Sequence, residues 1–312
     1  MQLTKATEPT FYFIGVTTAQ SSIMKLFPEW AKELSISQTI KGIDISIHAD
    51  PHVYREVVEF LKNDELSLGA LVTTHKIDLY NAAKDLFDEL DPYAQLFNEL
   101  SCISKRNGKL IGHAKDHLSS GLAMKAFIPE GFWEHQGEVF IMGAGGSAIA
   151  ITANLIEAKQ KPSKVYVTNR SKPRLKSMEA IIKKISTEVE IEYVMAENEE
   201  QNDKILQKLR PYSFIINATG LGKDRPGSPL SNKCTYPCNS LVWELNYRGE
   251  LLFMHQALEQ RAQKNLYVED GWVYFIHGWT QVISEVFQVN IDQEKLSKIE
   301  KIASDFINAK TQ

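Results

Sequence analysis

The chain has 312 residues, of which 43% are hydrophobic and 24% charged, and its formal net charge is -4. This is the composition of an ordinary globular protein, and the length favours two domains over one. The near balance of acidic and basic residues gives no indication of nucleic acid or an anionic membrane as a partner. No apolar run is long enough to span a bilayer, and three cysteines are too few for a disulfide framework. We therefore expect a cytoplasmic protein.

Short apolar runs alternate with helical patterns in the first third of the chain. Three runs are typical of strands: 11–16, 43–49 and 69–73. Three stretches are predicted to be helices: 22–35, 52–63 and 77–98. This alternation predicts a mostly parallel sheet covered by helices. Asn107-Gly108 then separates two alternating segments and predicts a hairpin, because both residues tolerate the positive φ of a type I′ turn.

A second strand-helix series follows a predicted connecting helix that begins near residue 118. Its apolar strands are "EVFIMGAGG", "KVYVTNR", "EIEYV", "FIINATG" and "SLVWELN". An amphipathic helix near 293–309 ends the series and is expected to return to the first domain. We predict an α/β protein with one domain at 1–118, a second at 119–278, a cleft between them, and residues 279–312 packing back on the first.

The segment around residue 143 predicts a dinucleotide site. An apolar strand runs directly into Gly143-Ala144-Gly145-Gly146-Ser147, and a helix rich in Ala, Ile and Leu follows at once. Gly143, Gly145 and Ala148 occupy the three positions of the dinucleotide fingerprint, which need a tight turn, a close backbone approach and close helix packing. The helix N-terminus would offer free N–H groups to the phosphates. An ordinary turn is the alternative, which the flanking strand and helix disfavour.

The end of the next predicted strand indicates which nucleotide is bound. Proteins that select NAD usually place Asp or Glu there to bind the ribose 2′-hydroxyl. This chain instead has Asn169, Arg170, Ser171 and, a little further on, Arg174. A guanidinium with neighbouring cations suits a 2′-phosphate, whereas a solvated basic turn is the alternative. NADP is therefore the predicted cofactor.

Nearly the whole chain, in order, resembles the shikimate dehydrogenase family. The motifs that carry the resemblance are "IGVTTAQSS", "VTTHK", "DELDPYAQ", "RNGKLIGHAKD", "MGAGGSAIA", "TNRS", "INATGLG", "ELNY" and "DG". Members of that family reduce a ring ketone with NADPH, with substrate on the N-terminal domain and cofactor on the Rossmann domain. The resemblance implies that Lys76 and Asp116 bind the reacting oxygen. It also adds Ala218, Thr219 and Gly271 to the predicted cofactor site.

The chemistry of an ammonium and a carboxylate fits such a reaction. Hydride delivery to a ketone builds negative charge on oxygen, so a nearby ammonium stabilises the transition state and can supply the proton. A carboxylate beside it would orient the lysine and bind the substrate hydroxyl. By spacing alone, Lys76 and Asp116 would be ordinary surface residues. Both, however, follow predicted strands at one edge of a sheet, where α/β proteins bind ligands.

The chain departs from the family in its substrate pocket. Positions that recognise shikimate in the family carry other residues here: Ala19, Ser101, Ala114, Lys115 and Gly278. We therefore predict a related polyhydroxylated ring substrate, shikimate-like or cyclitol-like. The candidate contacts are Ser21, Ser22, Thr73, Ser101, His113, Lys115, Tyr247 and Gln281. For the individual loop residues among them, an ordinary solvated role is the alternative.

The function predicted from these observations is an NADP-dependent oxidoreductase that interconverts a ring ketone and a secondary alcohol. The alternatives are a genuine shikimate dehydrogenase, a catalytically silent NADP-binding regulatory module, and a two-domain enzyme acting on a folate-like carrier. Retention of Lys76 and Asp116 disfavours the silent module. No metal site is expected, because Cys234 and Cys238 have no second pair of ligands nearby. The expected partners are the small-molecule substrate and, as an open possibility, a second copy in a homodimer.

Overall fold

A computed structural model describes residues 3–223 and 225–311 of the chain, with 308–311 described by their backbone only. The chain divides into two compact units. The first consists of residues 1–115 together with 278–312, and the second of residues 116–277. Each unit contains a six-stranded sheet and helices, so the predicted α/β class is confirmed. Within the described residues, no helix combines the length and the apolar character that crossing a membrane requires.

The strands form one sheet in each unit. The strands of the first unit are β1 (Thr10–Gly15), β2 (Thr39–Asp44), β3 (Ser67–Val72), β4 (Glu89–Leu90), β5 (Cys102–Arg106) and β6 (Lys109–His113). The strands of the second unit are β7 (Val139–Met142), β8 (Lys164–Asn169), β9 (Glu190–Met195), β10 (Phe214–Asn217), β11 (Leu241–Glu244) and β12 (Tyr267–Glu269).

The helices lie between these strands in the chain. The helices before residue 115 are α1 (Ile23–Glu33), α2 (Pro51–Asn63), α3 (Lys76–Ala83) and α4 (Pro92–Phe97). The second unit contains α5 (Asp116–Phe127), α6 (Gly146–Glu157), α7 (Lys172–Ile182), α8 (Glu199–Leu206) and α9 (Leu252–Lys264). Helix α10 (Trp272–Phe287) belongs to the first unit from Gly278 onward, and α11 (Gln293–Thr311) follows it. Short 3-10 turns lie at Thr18–Gln20, Lys84–Leu86 and Phe132–His135.

In the first unit the sheet order is β2-β1-β3-β5-β6-β4. Strands β1, β2 and β3 are parallel, and β5 runs antiparallel to both β3 and β6. Strands β3 and β6 therefore point in the same direction, and their carboxyl ends lie at the same edge of the sheet. Strand β1 is buried along its whole length, which accounts for its continuous apolar run.

The predicted hairpin is confirmed. Strands β5 and β6 pair with Arg106 opposite Lys109, and the turn between them has Asn107 at φ 51° and Gly108 at φ 77°. Both turn residues thus occupy the left-handed region that a type I′ turn requires. This turn brings the residues after β6 back to the edge where β3 ends.

The predicted single helix over 77–98 is wrong. Helix α3 ends at Ala83, and a 3-10 turn and the short strand β4 precede the second helix, α4. The new helix starts because the Asp91 carboxylate accepts the Ala94 N–H at 2.6 Å as an N-cap, with Pro92 in the first turn. Proline also disfavours helical backbone at the residue before it, which interrupts any continuous helix there.

The second predicted strand, 43–49, lies too far along the chain. The observed strand β2 starts at Thr39, opposite Thr10, and ends at Asp44. It is an edge strand on which Ile43 is buried and the neighbouring residues are largely accessible. Because an edge strand of this kind has no apolar alternation over most of its length, the pattern did not mark its start.

In the second unit the sheet is wholly parallel, with the order β12-β11-β10-β7-β8-β9. The chain builds outward from β7 in one direction through β8 and β9, and in the other through β10, β11 and β12. Its topological switch point is therefore the gap between the carboxyl ends of β7 and β10, where doubly wound sheets bind ligands.

Candidate functional site

The glycine turn after β7 lies at the switch point of the second unit. Gly143 has φ 115°, and its N–H donates to the Thr168 carbonyl at 2.8 Å. A β-carbon added there would lie 2.5 Å from the carbonyl oxygen of Ala218, on the loop after β10. Gly143 is therefore required both by its backbone conformation and by the close approach of a neighbouring loop.

Gly145 is constrained differently. It precedes the first turn of α6 with extended backbone, and a β-carbon added there would meet no atom within 4 Å. The space in front of this residue is therefore open. Ala148, the third residue of the helix, is fully buried. An open approach at Gly145, next to the amide groups of a helix N-terminus, fits the pyrophosphate of a dinucleotide.

The end of β8 presents amide and basic groups. The Asn169 side-chain oxygen accepts the Ser171 N–H at 2.9 Å, which shapes the turn into α7. Arg170 is exposed, and Arg174 lies partly exposed in the first turn of α7. No carboxylate stands at the end of this strand. The residues predicted to bind a 2′-phosphate lie in the turn after β8 and in the first turn of α7.

A hydrogen-bonded network joins the ends of β10 and β11. Asn217 and Glu244 are opposite each other in the sheet, and the Asn217 side-chain amide donates to Oε2 of Glu244 at 2.7 Å. The Asn217 side-chain oxygen accepts both the N–H and the hydroxyl of Thr219. Asn246 donates its backbone N–H and its side-chain amide to Oε1 of Glu244, at 2.8 and 2.6 Å. The network fixes the loop that carries Ala218 and Thr219.

Glu244 is fully buried, and this burial governs its protonation. Desolvation raises its pKa to about 7, although the hydrogen bonds from Asn246 and Asn217 act in the opposite direction. A buried carboxyl with a pKa near neutrality beside a predicted ligand loop is a feature often found at functional sites.

An aromatic group lies at the same edge of the second unit. The Tyr247 ring packs on Trp272 and Phe275, with ring centroids 5.3 and 4.6 Å away. Gly271 donates its N–H to the Asn246 carbonyl, and a β-carbon there would lie 2.1 Å from the Leu245 oxygen. In the first turn of α10, the Tyr274 hydroxyl donates to the Ser147 hydroxyl at 3.4 Å. The predicted residues Tyr247 and Gly271 thus lie beside the network around Glu244.

In the first unit, Lys76 is the first residue of α3, four residues after β3. Its carbonyl accepts the Leu100 N–H at 3.1 Å, and Ser101 donates its N–H to His113 at the end of β6. The Ser101 hydroxyl accepts the Lys115 N–H at 2.7 Å. The backbone of Lys76, the segment before β5 and the segment after β6 therefore meet at one sheet edge.

Asp116 begins α5, three residues after β6, and is buried. A carboxylate in the first turn of a helix is favoured by the helix dipole. Thr73, just after β3, donates its N–H to the Ile14 carbonyl at 3.0 Å. The strand order thus brings the carboxyl end of β3, which Thr73 and Lys76 follow, and the carboxyl end of β6 to the same edge of the first sheet, whereas Asp116 is the first residue of the second unit.

His75, next to Lys76, is held in the interior. Its ring is 1% exposed, and Nδ1 lies 3.2 Å from the Tyr54 hydroxyl. Burial lowers the pKa of His75, so the ring is neutral at physiological pH. His75 also precedes α3, and its carbonyl accepts the Leu79 N–H. It therefore anchors the start of the helix that carries Lys76.

The remaining predicted substrate residues are dispersed over the first unit. The Lys115 ammonium forms an ion pair with the Glu285 carboxylate of α10 at 2.6 Å. The Arg106 guanidinium contacts the same carboxylate at 2.8 Å. Ser21 and Ser22 are buried before α1, and Gln281 is partly exposed on α10, one turn before Glu285. The Lys115 ammonium is thus engaged in an ion pair inside its own unit.

Among the residues that the structure describes, no group of three or more His, Cys, Asp or Glu side chains could hold a metal ion. Nε2 of His113 lies 2.9 Å from the Ser104 hydroxyl, and Nε2 of His117 lies 3.0 Å from the Glu157 carboxylate. Each histidine therefore has its own polar partner on a neighbouring element.

Asn217, Glu244 and Asn246 were not singled out from the sequence. They lie in the stretches "INATG" and "ELNY", in which the family resemblance predicts only Ala218, Thr219 and Tyr247 as site residues. A usable signal was present, because a polar residue closes each of two consecutive buried strands. Only the parallel pairing of β10 and β11 shows that these side chains meet.

Comparison with known proteins shows a shared fold and a partial sequence match. No protein-family model matches the chain. The chain is 28% identical over 177 residues to a protein named shikimate dehydrogenase (NADP(+)) from Lactococcus lactis subsp. cremoris. That match covers 56% of this chain and 60% of the relative, so the chain spans about three fifths of the length of the curated relative.

Solved structures match over nearly the full length. Shikimate dehydrogenase 1 from Peptoclostridium difficile has a TM-score of 0.71 at 18% identity, with 95% of this chain and 98% of that chain covered. Quinate dehydrogenase from Corynebacterium glutamicum has a TM-score of 0.72 at 16% identity, with 96% and 99% covered. At such identities the likeness shows the fold. Together with the sequence match, it confirms the resemblance predicted from the motifs.

Proposed function

We propose that this shikimate dehydrogenase-like chain is an NADP-dependent oxidoreductase that interconverts a ring ketone and a secondary alcohol on a polyhydroxylated substrate. The observation that carries the proposal is the glycine turn at the switch point of the second unit. It is open at Gly145, and cations instead of a carboxylate follow the neighbouring strand β8. The NADP(+)-dependent name of the Lactococcus relative agrees with this cofactor.

The residues of the second unit fit the cofactor in three respects. The amide groups at the start of α6, with Gly143–Ser147, would bind the pyrophosphate. Asn169, Arg170, Ser171 and Arg174 would bind the 2′-phosphate, since guanidinium groups bind phosphate through two parallel hydrogen bonds. Ala218, Thr219 and Gly271 would line the part of the site nearer β10 and β12. When bound, NADPH supplies the hydride.

Lys76 and Asp116 would act on the substrate oxygen. An ammonium next to a carbonyl stabilises the negative charge that develops on the oxygen and donates a proton to it. A carboxylate keeps such a lysine charged and oriented, and accepts a hydrogen bond from a neighbouring substrate hydroxyl. Both residues follow the carboxyl ends of parallel strands, β3 and β6, where α/β proteins place their ligand-binding residues.

The substrate class follows from the neutral polar groups proposed to contact it. They are Ser21, Ser22, Thr73, Ser101, Tyr247 and Gln281, with Lys115 as the charged member. Hydroxyl and amide groups suit a polyol ring, whose hydroxyls both donate and accept hydrogen bonds. Because Ala19 and Ala114 stand at positions where the family recognises shikimate, we favour a cyclitol-like or otherwise shikimate-related ring over shikimate itself. The fold alone does not decide between such substrates.

The experiment that tests the proposal follows NADP(H) absorbance across a substrate panel. Shikimate, quinate, aminoshikimates and cyclitols are offered with NADP+, and inososes with NADPH. We expect turnover of at least one polyol or ring ketone, with kcat/KM for NADPH at least tenfold above that for NADH. Efficient turnover of shikimate would contradict the proposed substrate class. Equal use of NADH and NADPH would contradict the proposed role of Arg170 and Arg174.

A further inference from the structure

The carboxylate of Glu244 accepts hydrogen bonds from Asn217 and Asn246, which lie on two different segments of the chain. We call these three residues the clamp. From β10 it receives the amide of Asn217, and from the segment after β11 it receives two N–H groups of Asn246. The same two asparagines both donate to the Leu221 carbonyl, at 3.4 and 3.0 Å. The loop 217–222 is therefore held at its start by Asn217 and at Leu221 by both amides.

We infer that Glu244 is a positioning residue for the cofactor: its ionised carboxylate holds the loop 217–222 in the binding conformation, and its protonation weakens NADP binding. This inference rests on the proposed function for the location of the cofactor. Glu244 itself is fully buried beneath the loop and acts through Asn217 and Asn246.

The three hydrogen bonds to Glu244 favour its ionised form. All three partners of Glu244 are N–H donors, and an ionised carboxylate is acceptor-only. Two donors already occupy Oε1, so a proton there would displace one of them, and a proton on Oε2 would weaken that oxygen as the acceptor of the Asn217 amide. Asn217 cannot compensate by rotating its amide, because its oxygen already accepts from the N–H and hydroxyl of Thr219.

The conformation of the loop around Ala218, which contacts the glycine turn, depends on the hydrogen bonds of the Asn217 side chain. The Thr219 hydroxyl accepts the Leu221 N–H at 3.1 Å, so the Asn217 side chain orders the loop through Thr219. Ala218, between them, is the residue whose carbonyl lies against Gly143. A change at Glu244 therefore reaches the glycine turn through Asn217 and the loop.

The protonation equilibrium of Glu244 lies in the physiological range. Burial and, to a smaller extent, the negative charge of Asp270, which follows β12, together raise its pKa to about 7 against the opposing hydrogen bonds. Tyr236 faces it from the loop before β11 and is neutral, since burial raises the pKa of that phenol well above its ordinary value. On the outer side of the loop, the Arg225 guanidinium donates to the Thr219 carbonyl at 2.7 Å. The ionised fraction of Glu244 therefore rises between about pH 6 and pH 8.

The test measures NADP+ binding by calorimetry between pH 6 and pH 8 for the wild type, Glu244→Gln and Glu269→Gln. Glu269 is the matched control, because it closes the neighbouring strand β12 and has a raised pKa, and because, among the residues that the structure describes, its carboxylate accepts from the Tyr267 hydroxyl and not from Asn217 or Asn246. We expect wild type and Glu269→Gln to bind roughly tenfold more tightly at pH 8 than at pH 6. We expect Glu244→Gln to bind roughly tenfold more weakly than wild type at pH 8, with a flatter pH profile.

The outcomes separate this inference from the proposed function. Wild-type affinity and an unchanged profile in Glu244→Gln would overturn the role of Glu244, whereas a wild type that binds no NADP+ at any pH would overturn the proposed function. Titration of the 2′-phosphate contributes equally to all three proteins, so the difference between wild type and Glu244→Gln isolates Glu244. If Glu244→Gln does not fold, Asn246→Ala replaces it, and tight binding by that variant at pH 8 contradicts the clamp.

Discussion

Gly143 and Gly145 stand two residues apart in one turn, yet the structure constrains them for different reasons. Gly143 has a left-handed backbone and the Ala218 carbonyl against it, whereas Gly145 has ordinary extended backbone and open space in front of it. The sequence fingerprint predicted both glycines, but it could not distinguish a fold requirement from a ligand requirement. The distinction depends on the loop after β10, which is 75 residues further along the chain.

At Gly143 we predict that substitution by alanine lowers stability. The added β-carbon lies too close to the Ala218 carbonyl, and the positive φ disfavours alanine, so the free energy of unfolding should fall by about 2–3 kcal/mol. Gly145→Ala is the matched variant, expected to stay within about 0.5 kcal/mol of wild type while NADP+ binds at least tenfold more weakly. Urea unfolding and calorimetry measure the two quantities. Unchanged NADP+ affinity in Gly145→Ala would place the pyrophosphate elsewhere.

At the level of elements, the sequence predicted best where local chemistry dictates the structure. Asn107-Gly108 specified its turn, and the buried strands β1 and β3 showed as apolar runs. The prediction of a single helix over 77–98 was wrong, although the N-cap and proline pattern of Asp91-Pro92 indicates the start of a new helix. The prediction of the bounds of edge strand β2 was wrong, because the accessible residues of this strand follow no apolar alternation. Pairing between distant elements, such as Lys115 with Glu285, had no local signal.

The ion-pair cluster on α10 yields a prediction at this scale. Glu285 accepts from Lys115 and Arg106, and His113 lies 3.8 Å away, so the cluster joins α10 to the hairpin of β5 and β6. Glu285→Gln should lower the free energy of unfolding by about 1–3 kcal/mol at pH 7. Glu89→Gln is the control, because its pair with Lys109 is about half exposed and screened by solvent, so its loss should lower stability less than Glu285→Gln does.

The difference in the free energy of unfolding between wild type and Glu285→Gln should depend on pH in a definite direction. Burial acts to raise the pKa of Glu285, but the hydrogen bond from Lys115 and the nearby positive charges outweigh it, and the net pKa is lowered from 4.5. The stabilisation is therefore present above pH 4.5 and is lost as the pH falls through the folded-state pKa. Urea unfolding at pH 7 and at pH 4 should show a smaller difference between wild type and Glu285→Gln at pH 4. An equal or larger difference at pH 4 would contradict the ion-pair account.

At the scale of the whole molecule, the order of motifs along the chain predicted two α/β parts and a doubly wound second sheet. That sheet has the predicted parallel architecture, with the glycine turn at its switch point. The roles assigned to Lys76 and Asp116 remain predictions, since they concern a reaction and not a fold. What the strand order adds is that β3 and β6 end at one edge, which a sequence separation of forty residues does not reveal.

The central claim assigns proton donation to a lysine of the first unit and cofactor binding to the second unit, and Lys76→Ala separates the two. We predict that this variant loses kcat by about 10²- to 10⁴-fold on the substrate identified from the panel. Its Kd for NADP+ should stay within about twofold of wild type, because Lys76 lies outside the unit that carries the glycine turn. Lys84→Ala, just after the same helix, should keep full activity. Wild-type turnover by Lys76→Ala would remove this lysine from the reaction and contradict the account.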